Sequence, residues 1–325
     1  MKRAVLALLL LYAAAVPSQA AEVTDATGRS VVIPDNPHRV LPAGPPAEVL
    51  LAAIAPAQML GLPELPGEAA RAALAPATNS LPAVPRLTGK QDRTADIQAL
   101  HPDLIIDYGT VSPRYQQLAR ETQSKTGIPT LLFDGALDQI PRVARDIGRI
   151  LHQPGQAEAV ARCAEAILAL PAPANSHPRV LYARGAEGLM VAAPDTDVTG
   201  IFRRLGWQVV APDGTGTFRP ASVEAIRQLD PDIIILADPT AKPILATAPW
   251  ASLRAVRDGH AYIAPSMPFG WVEEPPSINR LLGLAWLRGG DPLTLAALFN
   301  AVVYGRTLTR DQLLAIAGTT RTITH

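Results

Sequence analysis

The sequence predicts an α/β protein made of two small parallel-sheet lobes bridged by a stiff interdomain helix. A helix end, a Pro-Asp turn and an apolar strand occur together at residues 100–106 and again at 229–235. A second pair of similar segments lies upstream, with Arg-Val-Leu at 39–41 and at 179–181. Because the elements follow the same order in both halves and strands alternate with helices, each half is predicted to form a small parallel sheet covered by helices.

The overall composition is that of a folded globular protein. The chain of 325 residues carries 29 basic and 29 acidic side chains, one cysteine and 48% hydrophobic residues. This composition excludes a disordered chain, a disulfide-stapled domain, a four-cysteine zinc module and a basic nucleic-acid-binding protein. A single hydrophobic core rarely organises about 300 residues, so two lobes are expected from length alone.

Residues 1–20 are predicted to be a cleavable Sec signal peptide, which implies a periplasmic protein. Lys2 and Arg3 precede an apolar run at 4–16, and Ser18 and Ala20 supply the small side chains that signal peptidase requires. As a helix, this run is too short to span the ~30 Å hydrocarbon core of a bilayer. Since no cysteine follows the cleavage site, no lipid anchor is predicted.

Connecting helices are predicted at 138–172, between a first lobe at 21–137 and a second at 173–325. Apolar residues recur at helical spacing over 140–151 and again after Pro154, which suits the first turn of a helix. A helix over 154–170 would be ~25 Å long and would connect the lobes stiffly, so only modest lobe closure is expected. The second lobe is predicted to end in helices, the first of them capped by Ser277.

A ligand site is expected in the loops that follow the strands, because open parallel sheets bind ligands beyond the carboxyl ends of their strands. These loops combine aromatic and cationic side chains. The candidate ligand contacts are Tyr108, Tyr182, Phe269 and Trp271, together with Lys90, Arg93, Arg184 and Arg219. Aromatic faces cover apolar surface and guanidinium groups bind anionic oxygens, so the pattern predicts a bulky, partly apolar anion such as a metal chelate with charged arms.

Neither a metal site nor a catalytic centre is indicated by the sequence. The six histidines are scattered, without a pair at ligand spacing on one helix. The motifs of serine hydrolases, zinc proteases and P-loop nucleotidases are absent from the sequence. No catalytic residue, metal ligand or resident cofactor is therefore predicted, and the metal is expected to arrive inside an organic ligand.

Three stretches carry a resemblance to a known family. They are the opening at 23–40 (Val-Thr-Asp-Ala-Thr-Gly-Arg-Ser-Val-Val-Ile-Pro, then Pro-His-Arg-Val), the twin Leu-x-Pro-Asp strands, and Trp-Ala-Ser-Leu-Arg-Ala-Val-Arg-Asp-Gly-His-Ala-Tyr at 250–262. Over residues 23 to about 290 the chain resembles periplasmic substrate-binding proteins of the iron-complex (siderophore, haem and cobalamin) ABC importer family. The resemblance implies the class III binding-protein fold and delivery of the ligand to a membrane permease.

The resemblance also implies which residues contact the permease. In that family each lobe presents an acidic residue, on the helix before its Pro-Asp strand, to arginines of the permease. Glu224 matches the position in the second lobe. The aligned residue of the first lobe is Ala95, so the adjacent Asp96 is the candidate there, with Glu48 as a different candidate.

The leading hypothesis is a periplasmic component of an ABC importer that captures a ferric siderophore between the lobes. Its expected partners are a permease and its ATPase in the inner membrane, with no nucleic acid, and the protein is expected to be a monomer. A haem or corrinoid receptor is the alternative within the same class. The alternative from a different class is an extracytoplasmic enzyme that acts on a metal chelate.

Overall fold

The computed structural model describes residues 20–87, 92–171, 177–318 and 320–323. Residues 1–19 of the predicted signal peptide and the candidate contact Lys90 lie outside the described residues. The described chain forms two α/β lobes, which confirms the predicted fold class. The exact boundaries of the predicted domains stay a prediction.

An N-terminal hairpin precedes the first lobe. Its strands β1 (Ala20–Thr24) and β2 (Ser30–Pro34) are antiparallel. In the turn, the Asp25 carboxylate accepts hydrogen bonds from the Thr27 N–H at 2.8 Å and from Arg29 Nε at 3.0 Å. The Ala26 N–H donates to the Leu132 carbonyl at 2.9 Å, which fixes the hairpin to the edge of the first lobe.

The first lobe is built on a three-stranded parallel sheet. Its strands β3 (Val40–Pro42), β4 (Leu104–Gly109) and β5 (Thr130–Asp134) lie in the order β3-β4-β5. The helices of this lobe are α1 (Pro45–Ile54), α2 (Glu68–Arg71), α3 (Pro76–Asn79), α4 (Thr94–Ala99) and α5 (Pro113–Thr126). The strands are parallel, so their carboxyl ends share one edge, and contacts such as that of Thr110 with Asp197 place this edge against the second lobe.

The second lobe has a six-stranded sheet that is mixed rather than purely parallel. Its strands are β6 (Arg179–Arg184), β7 (Met190–Ala192), β8 (Gln208–Val209), β9 (Phe218–Pro220), β10 (Ile233–Leu236) and β11 (Ala261–Ile263). Strands β8 and β10 are parallel to β6, and β11 is parallel to β10, whereas β7 is antiparallel to both β6 and β9. The second sheet is therefore parallel in β6, β8, β10 and β11, as predicted, and departs from the prediction in the antiparallel strand β7. Gly185 and Gly188 adopt positive φ angles of 83° and 66°, and they turn the chain back into a hairpin directly after β6.

Short helices surround this second sheet. They are α8 (Gly200–Arg204), α9 (Val223–Leu229), α10 (Ala248–Ala251) and α11 (Arg254–Arg257). Ser222 caps α9 by accepting the Ala225 N–H at 3.1 Å. Arg254 reaches Asp230 and Asp232, each at 2.8 Å, and so ties α11 to the Pro-Asp turn that precedes β10.

Helices α6 (Ile140–Ile150) and α7 (Pro154–Leu168) connect the lobes. Helix α7 packs against α1 of the first lobe and against α12 (Arg280–Leu287) and α13 (Pro292–Val303) near the C-terminus. One hydrophobic cluster contains Leu50 of α1, Val160 of α7 and Leu284 of α12. A core shared in this way resists independent motion of the lobes.

The C-terminal helices begin later than predicted and reach back to the first lobe. Helix α12 starts at Arg280 after Asn279, so the predicted N-cap role of Ser277 was wrong. The Ser277 hydroxyl instead donates to the Pro46 carbonyl of the first lobe at 2.8 Å. Helix α14 (Arg310–Ala317) contacts α2 of the first lobe. Within the described ranges, every helix is too short or too polar to traverse a bilayer.

Candidate functional site

A cavity of about 840 Å³ lies between the two lobes. The first lobe supplies the start of α1 and the segment 64–70, and the second lobe supplies the end of β6 and the segments 266–269 and 273–276. Pro45 and Pro46 line the cavity because helix α1 begins with them, separated from the end of β3 by two residues. The charged side chains in its lining are Glu48, Glu64, Glu68, Arg184, Glu273 and Glu274.

Arg184 is held by two carboxylates on the wall formed by the second lobe. Its guanidinium makes a two-point ion pair with Glu273, whose side chain is fully buried, and reaches Glu274 at 3.0 Å. The guanidinium carbon also lies 4.1 Å from the ring centre of Phe218. The Tyr182 hydroxyl donates to Glu273 at 3.0 Å. Arg184 is thus fixed in place, and its charge is more than balanced.

The protonation of this cluster follows from burial and pairing. Burial alone would lower the pKa of Arg184, but the hydrogen bonds and charge of Glu273 leave it raised, so Arg184 stays cationic. Burial and the neighbouring Glu273 raise the pKa of Glu274. Burial also raises the pKa of Tyr182 well above its ordinary value, which keeps the phenol a proton donor to Glu273.

Glu48 forms part of the wall supplied by the first lobe. Its side chain is buried within α1 and accepts the Glu64 N–H at 2.9 Å. Burial raises the pKa of Glu48 to about 8, so the carboxyl is largely neutral at pH 7. Glu64 itself pairs with Arg86, while Glu68 is exposed at the mouth of the cavity. The lining therefore presents protonated and ionised carboxyl groups and no cation beyond the neutralised Arg184 among the described residues.

Direct coordination of a metal ion finds no support in the described part of the chain. Within residues 20–87, 92–171, 177–318 and 320–323, no three His, Cys, Asp or Glu side chains converge as a metal site would require. The cavity has instead the size and the mixed apolar and polar lining of a site for an organic molecule.

A family model described as a periplasmic binding protein matches residues 46–268. The chain belongs to this family. The resemblance inferred from the sequence is thereby confirmed, and the chain is a binding protein rather than an enzyme. No curated protein matches the chain significantly.

Solved structures of binding proteins share the fold. An ABC transporter solute-binding protein from Sulfurospirillum deleyianum has a TM-score of 0.82 at 22% identity, covering 91% of this chain and 99% of its own. A molybdate-binding protein from Haemophilus influenzae has a TM-score of 0.69 at 18% identity, covering 89% and 99%. A haem-binding protein from Pseudomonas aeruginosa has a TM-score of 0.55 at 23% identity, covering 89% and 100%. The last two neighbours are described as binders of different ligands, molybdate and haem.

The predicted aromatic contacts of the binding protein lie at different depths. Phe269 lines the cavity. Tyr182 does not line it, and its hydroxyl donates to Glu273, which does. Tyr108 and Trp271 are buried in the hydrophobic core, and the Trp271 indole donates to the Met267 carbonyl at 3.1 Å. Neither Tyr108 nor Trp271 therefore lines the 840 Å³ cavity, although Tyr108 lines a smaller pocket of about 130 Å³ beside it.

Of the described cationic residues that were predicted as ligand contacts, Arg184 lines this cavity and Arg93 and Arg219 do not. Arg93 lies outside the cleft and pairs with Asp96 at 2.9 Å, and Arg219 donates to the Pro212 carbonyl at 2.8 Å. Arg184 does line the cavity, but its guanidinium is already paired with Glu273 and Glu274. The physical reason is that each guanidinium finds an acceptor within the protein.

The three predicted docking residues also differ in position. Asp96 on α4 and Glu224 on α9 are exposed, and Glu224 pairs with Arg227. Glu48 is only 1% exposed and forms part of the cavity wall, so the prediction of Glu48 as a surface docking residue does not fit its position.

Glu64, Glu68, Glu273 and Glu274 line the cavity but were not selected from the sequence as ligand contacts. Glu48 had a sequence signal, because it is the single charge in the apolar helix Pro-Pro-Ala-Glu-Val-Leu-Leu-Ala-Ala-Ile. Such a charge is retained in a buried helix when it serves a site. Glu64 and Glu68 had no comparable signal, since they occur in a polar connecting segment.

Proposed function

We propose that this periplasmic binding protein serves an ABC importer and captures a ferric siderophore that carries no net negative charge. The observation that carries the proposal is the charge of the cavity, whose one arginine is already paired with two of its five glutamates. Of the other three, Glu48 is largely neutral, Glu64 pairs with Arg86 and Glu68 is exposed, so the described lining offers no unpaired cation to an anionic ligand. A transport role accords with the family and with the predicted signal peptide.

The size of the cavity supports a bulky organic ligand. Its volume of about 840 Å³ is far larger than a bare ion or an inorganic oxyanion requires. Sites of about 300–1,000 Å³ usually enclose molecules of several hundred daltons. Pro45, Pro46, Pro268 and Phe269 supply rigid apolar surface against which such a molecule can pack.

The charge of the lining narrows the class of siderophore. A ferric tris-catecholate is a trianion and would bring three negative charges beside Glu64, Glu68 and the Arg184 cluster. A ferric trihydroxamate is neutral, and it becomes cationic when it carries an amine arm. The protonated Glu48 can donate a hydrogen bond to a hydroxamate or amide oxygen of such a ligand. We therefore favour the hydroxamate type over the anionic chelate that the sequence alone suggested.

A corrinoid is the second candidate, and the same cavity supports it. A corrinoid is large, bears neutral amide arms and brings its own axial base, so it needs no ligand from the protein. Haem is less well served, because the described residues of the cavity lining include neither His nor Tyr as an axial ligand. The propionates of haem would also meet the acidic lining.

Delivery requires the lobes to dock on a permease. We propose that exposed Asp96 and Glu224, one on each lobe, contact basic residues of the permease. Their pairing with Arg93 and Arg227 is a surface interaction worth at most about 1 kcal/mol, so it is readily exchanged for a partner.

Native mass spectrometry of the protein purified from the periplasm tests this function. We expect a non-covalent adduct of several hundred daltons that contains iron and dissociates on denaturation. A cobalt-containing adduct would select the corrinoid instead. Retention of only a bare metal ion, a sugar or molybdate would contradict the proposal.

A further inference from the structure

A smaller pocket of about 130 Å³ adjoins the main cavity at the carboxyl end of β4. The two share Pro45, Pro46 and Pro276 as lining residues, so a ligand in the cleft can extend an arm toward the smaller space. The walls of the smaller pocket include Tyr115 and Leu132, and its one ionisable carboxyl group is Asp107. We call this space the Asp107 pocket.

Asp107 interrupts an otherwise apolar strand. Residues 104–106 of β4 are fully buried, and Ile105, on the same face as Asp107, belongs to a hydrophobic cluster. The internal repeat shows what the fold itself needs at this position. When 104–107 is aligned with 233–236, the position equivalent to Asp107 is Leu236, which is fully buried in the second lobe. The equivalent strand of the second lobe is thus formed with a leucine at this position. The strand itself does not require a carboxylate there, and the presence of Asp107 needs another explanation.

The carboxylate of Asp107 is only partly satisfied within the protein. Its Oδ1 accepts the Tyr108 N–H at 2.9 Å. In the described parts of the chain, no Lys, Arg or His side chain forms an ion pair with Asp107. Burial raises the pKa of Asp107 to about 6, so at pH 7 the pocket holds an ionised carboxylate without a counter-ion.

The size and walls of the pocket select the kind of cation. A volume of 130 Å³ accommodates a chain of a few heavy atoms and not a whole chelate. A metal ion would need three or more ligands, and the described residues supply no such cluster. An alkylammonium group matches the pocket better, since its methylene groups pack on Leu132 and Tyr115 while its nitrogen meets the carboxylate.

We propose that the Asp107 pocket binds a primary ammonium arm of the ligand, with Asp107 as its counter-ion. This proposal rests on the function proposed above, because it assumes that a chelate occupies the adjoining cleft. It narrows the ligand to ferric trihydroxamates with an amine-bearing arm. The arm would reach the pocket past Pro276.

The pocket can be tested without any chelate, using n-pentylammonium as the probe and n-pentanol as its neutral counterpart. Saturation-transfer NMR at pH 7.5 should detect binding of the amine to the wild-type protein and not of the alcohol. Asp107→Asn should weaken the amine at least 10-fold, and Asp107→Leu, which copies the residue of the other lobe, should abolish its binding while the protein stays folded. Asp134→Asn, at the end of the neighbouring strand β5, is the matched control and should bind like wild type.

A second experiment separates this proposal from the proposed function. A ferric trihydroxamate with a pentylammonium arm and its N-acetylated derivative are titrated calorimetrically into wild type and Asp107→Asn. We expect the amine form to bind at least 10-fold more tightly than the acetylated form, and the variant to remove that preference. Equal affinities, or amine binding unchanged in Asp107→Asn, would overturn the Asp107 pocket and leave the function intact. If neither chelate binds while n-pentylammonium does, the pocket stands and the hydroxamate assignment fails.

Discussion

Arg184 and Glu273 lie 89 positions apart in the chain and form a two-point ion pair in the wall of the interlobe cavity. The Glu273 side chain is fully buried, and Glu274 contacts the same guanidinium at its Nε atom, at 3.0 Å. Because Arg184 is the one cation of the described lining and is already paired, it is not available to balance the charge of an anionic ligand.

Replacing Arg184 should first affect stability. Arg184→Ala leaves Glu273 buried without its partner, and breaking a buried pair costs about 3–5 kcal/mol. Since the Arg184 side chain is 36% exposed, we expect a smaller loss of roughly 1–3 kcal/mol in urea unfolding at pH 7. Arg227→Ala, which breaks the exposed pair with Glu224, is the control and should change stability by less than about 1 kcal/mol. Equal effects of the two variants would argue against a buried pair.

Glu48 should make stability depend on pH. Burial raises its pKa from 4.5 to about 8, so between these values the unfolded chain releases a proton that the folded protein keeps. The contribution of Glu48 therefore becomes progressively unfavourable as pH rises through this window and levels off above pH 8. Glu48→Gln should be more stable than wild type by roughly 3–5 kcal/mol at pH 8, with little difference at pH 4.

The exposed Glu68 of the same cavity offers the control for this measurement. Glu68→Gln should leave the pH dependence of unfolding unchanged. The role of Glu48 would be refuted by parallel stability profiles of Glu48→Gln and wild type between pH 4 and 9.

Arg280 should stabilise the contact between the two lobes through hydrogen bonds of its buried guanidinium. It is 4% exposed, and its guanidinium donates to the Gly135 carbonyl of the first lobe and to the Asp197 carbonyl of the second. Arg280→Met would leave these carbonyls without their donor and should lower stability by about 2–4 kcal/mol. Hydrogen exchange should also increase at both lobe edges. Arg203 lines, together with Arg280, a second cavity of about 580 Å³ between the lobes, but it is exposed. Arg203→Met should therefore have little effect, and similar losses for both variants would contradict this role.

The docking proposal predicts a loss of uptake without a loss of ligand affinity. Reversing the charge of Asp96 or Glu224 with arginine should impair transport in cells and leave the dissociation constant of the ligand unchanged. Asp311→Arg, on α14, is the control and should transport normally. Normal transport by both docking variants would remove these residues from the permease contact.

The fold was predictable because buried strands leave a clear pattern. The repeated segments at 104–106 and 233–235 form the interior strands β4 and β10, each with a neighbour on both sides, as their apolar runs indicate. The hairpin after β6 was missed because a loop with Gly185 and Gly188 permits either a crossover or a reversal. The period of two in a strand also shows, in hindsight, why Tyr108 enters the core: it shares a face with Leu104 and Ile106.

The chemistry of the cleft was less predictable than its location. Residues at or just beyond the carboxyl ends of β3 and β6 do line the cavity, namely Pro45, Pro46 and Arg184, as the parallel-sheet rule implies. The sign of its charge could not be inferred from those loops, because the partners of Arg184 lie about ninety positions away in a segment without regular structure. Pairing of this kind depends on tertiary contacts that sequence spacing does not encode.

We propose that the glutamate-lined cleft selects a metal chelate without net negative charge. Calorimetric titration at pH 7.5 and low salt, with a neutral ferric trihydroxamate and a trianionic ferric tris-catecholate of similar size, measures this selection. We expect the neutral chelate to bind at least 100-fold more tightly and the difference in affinity to become smaller as the salt concentration rises. Equal or tighter binding of the trianion would contradict it.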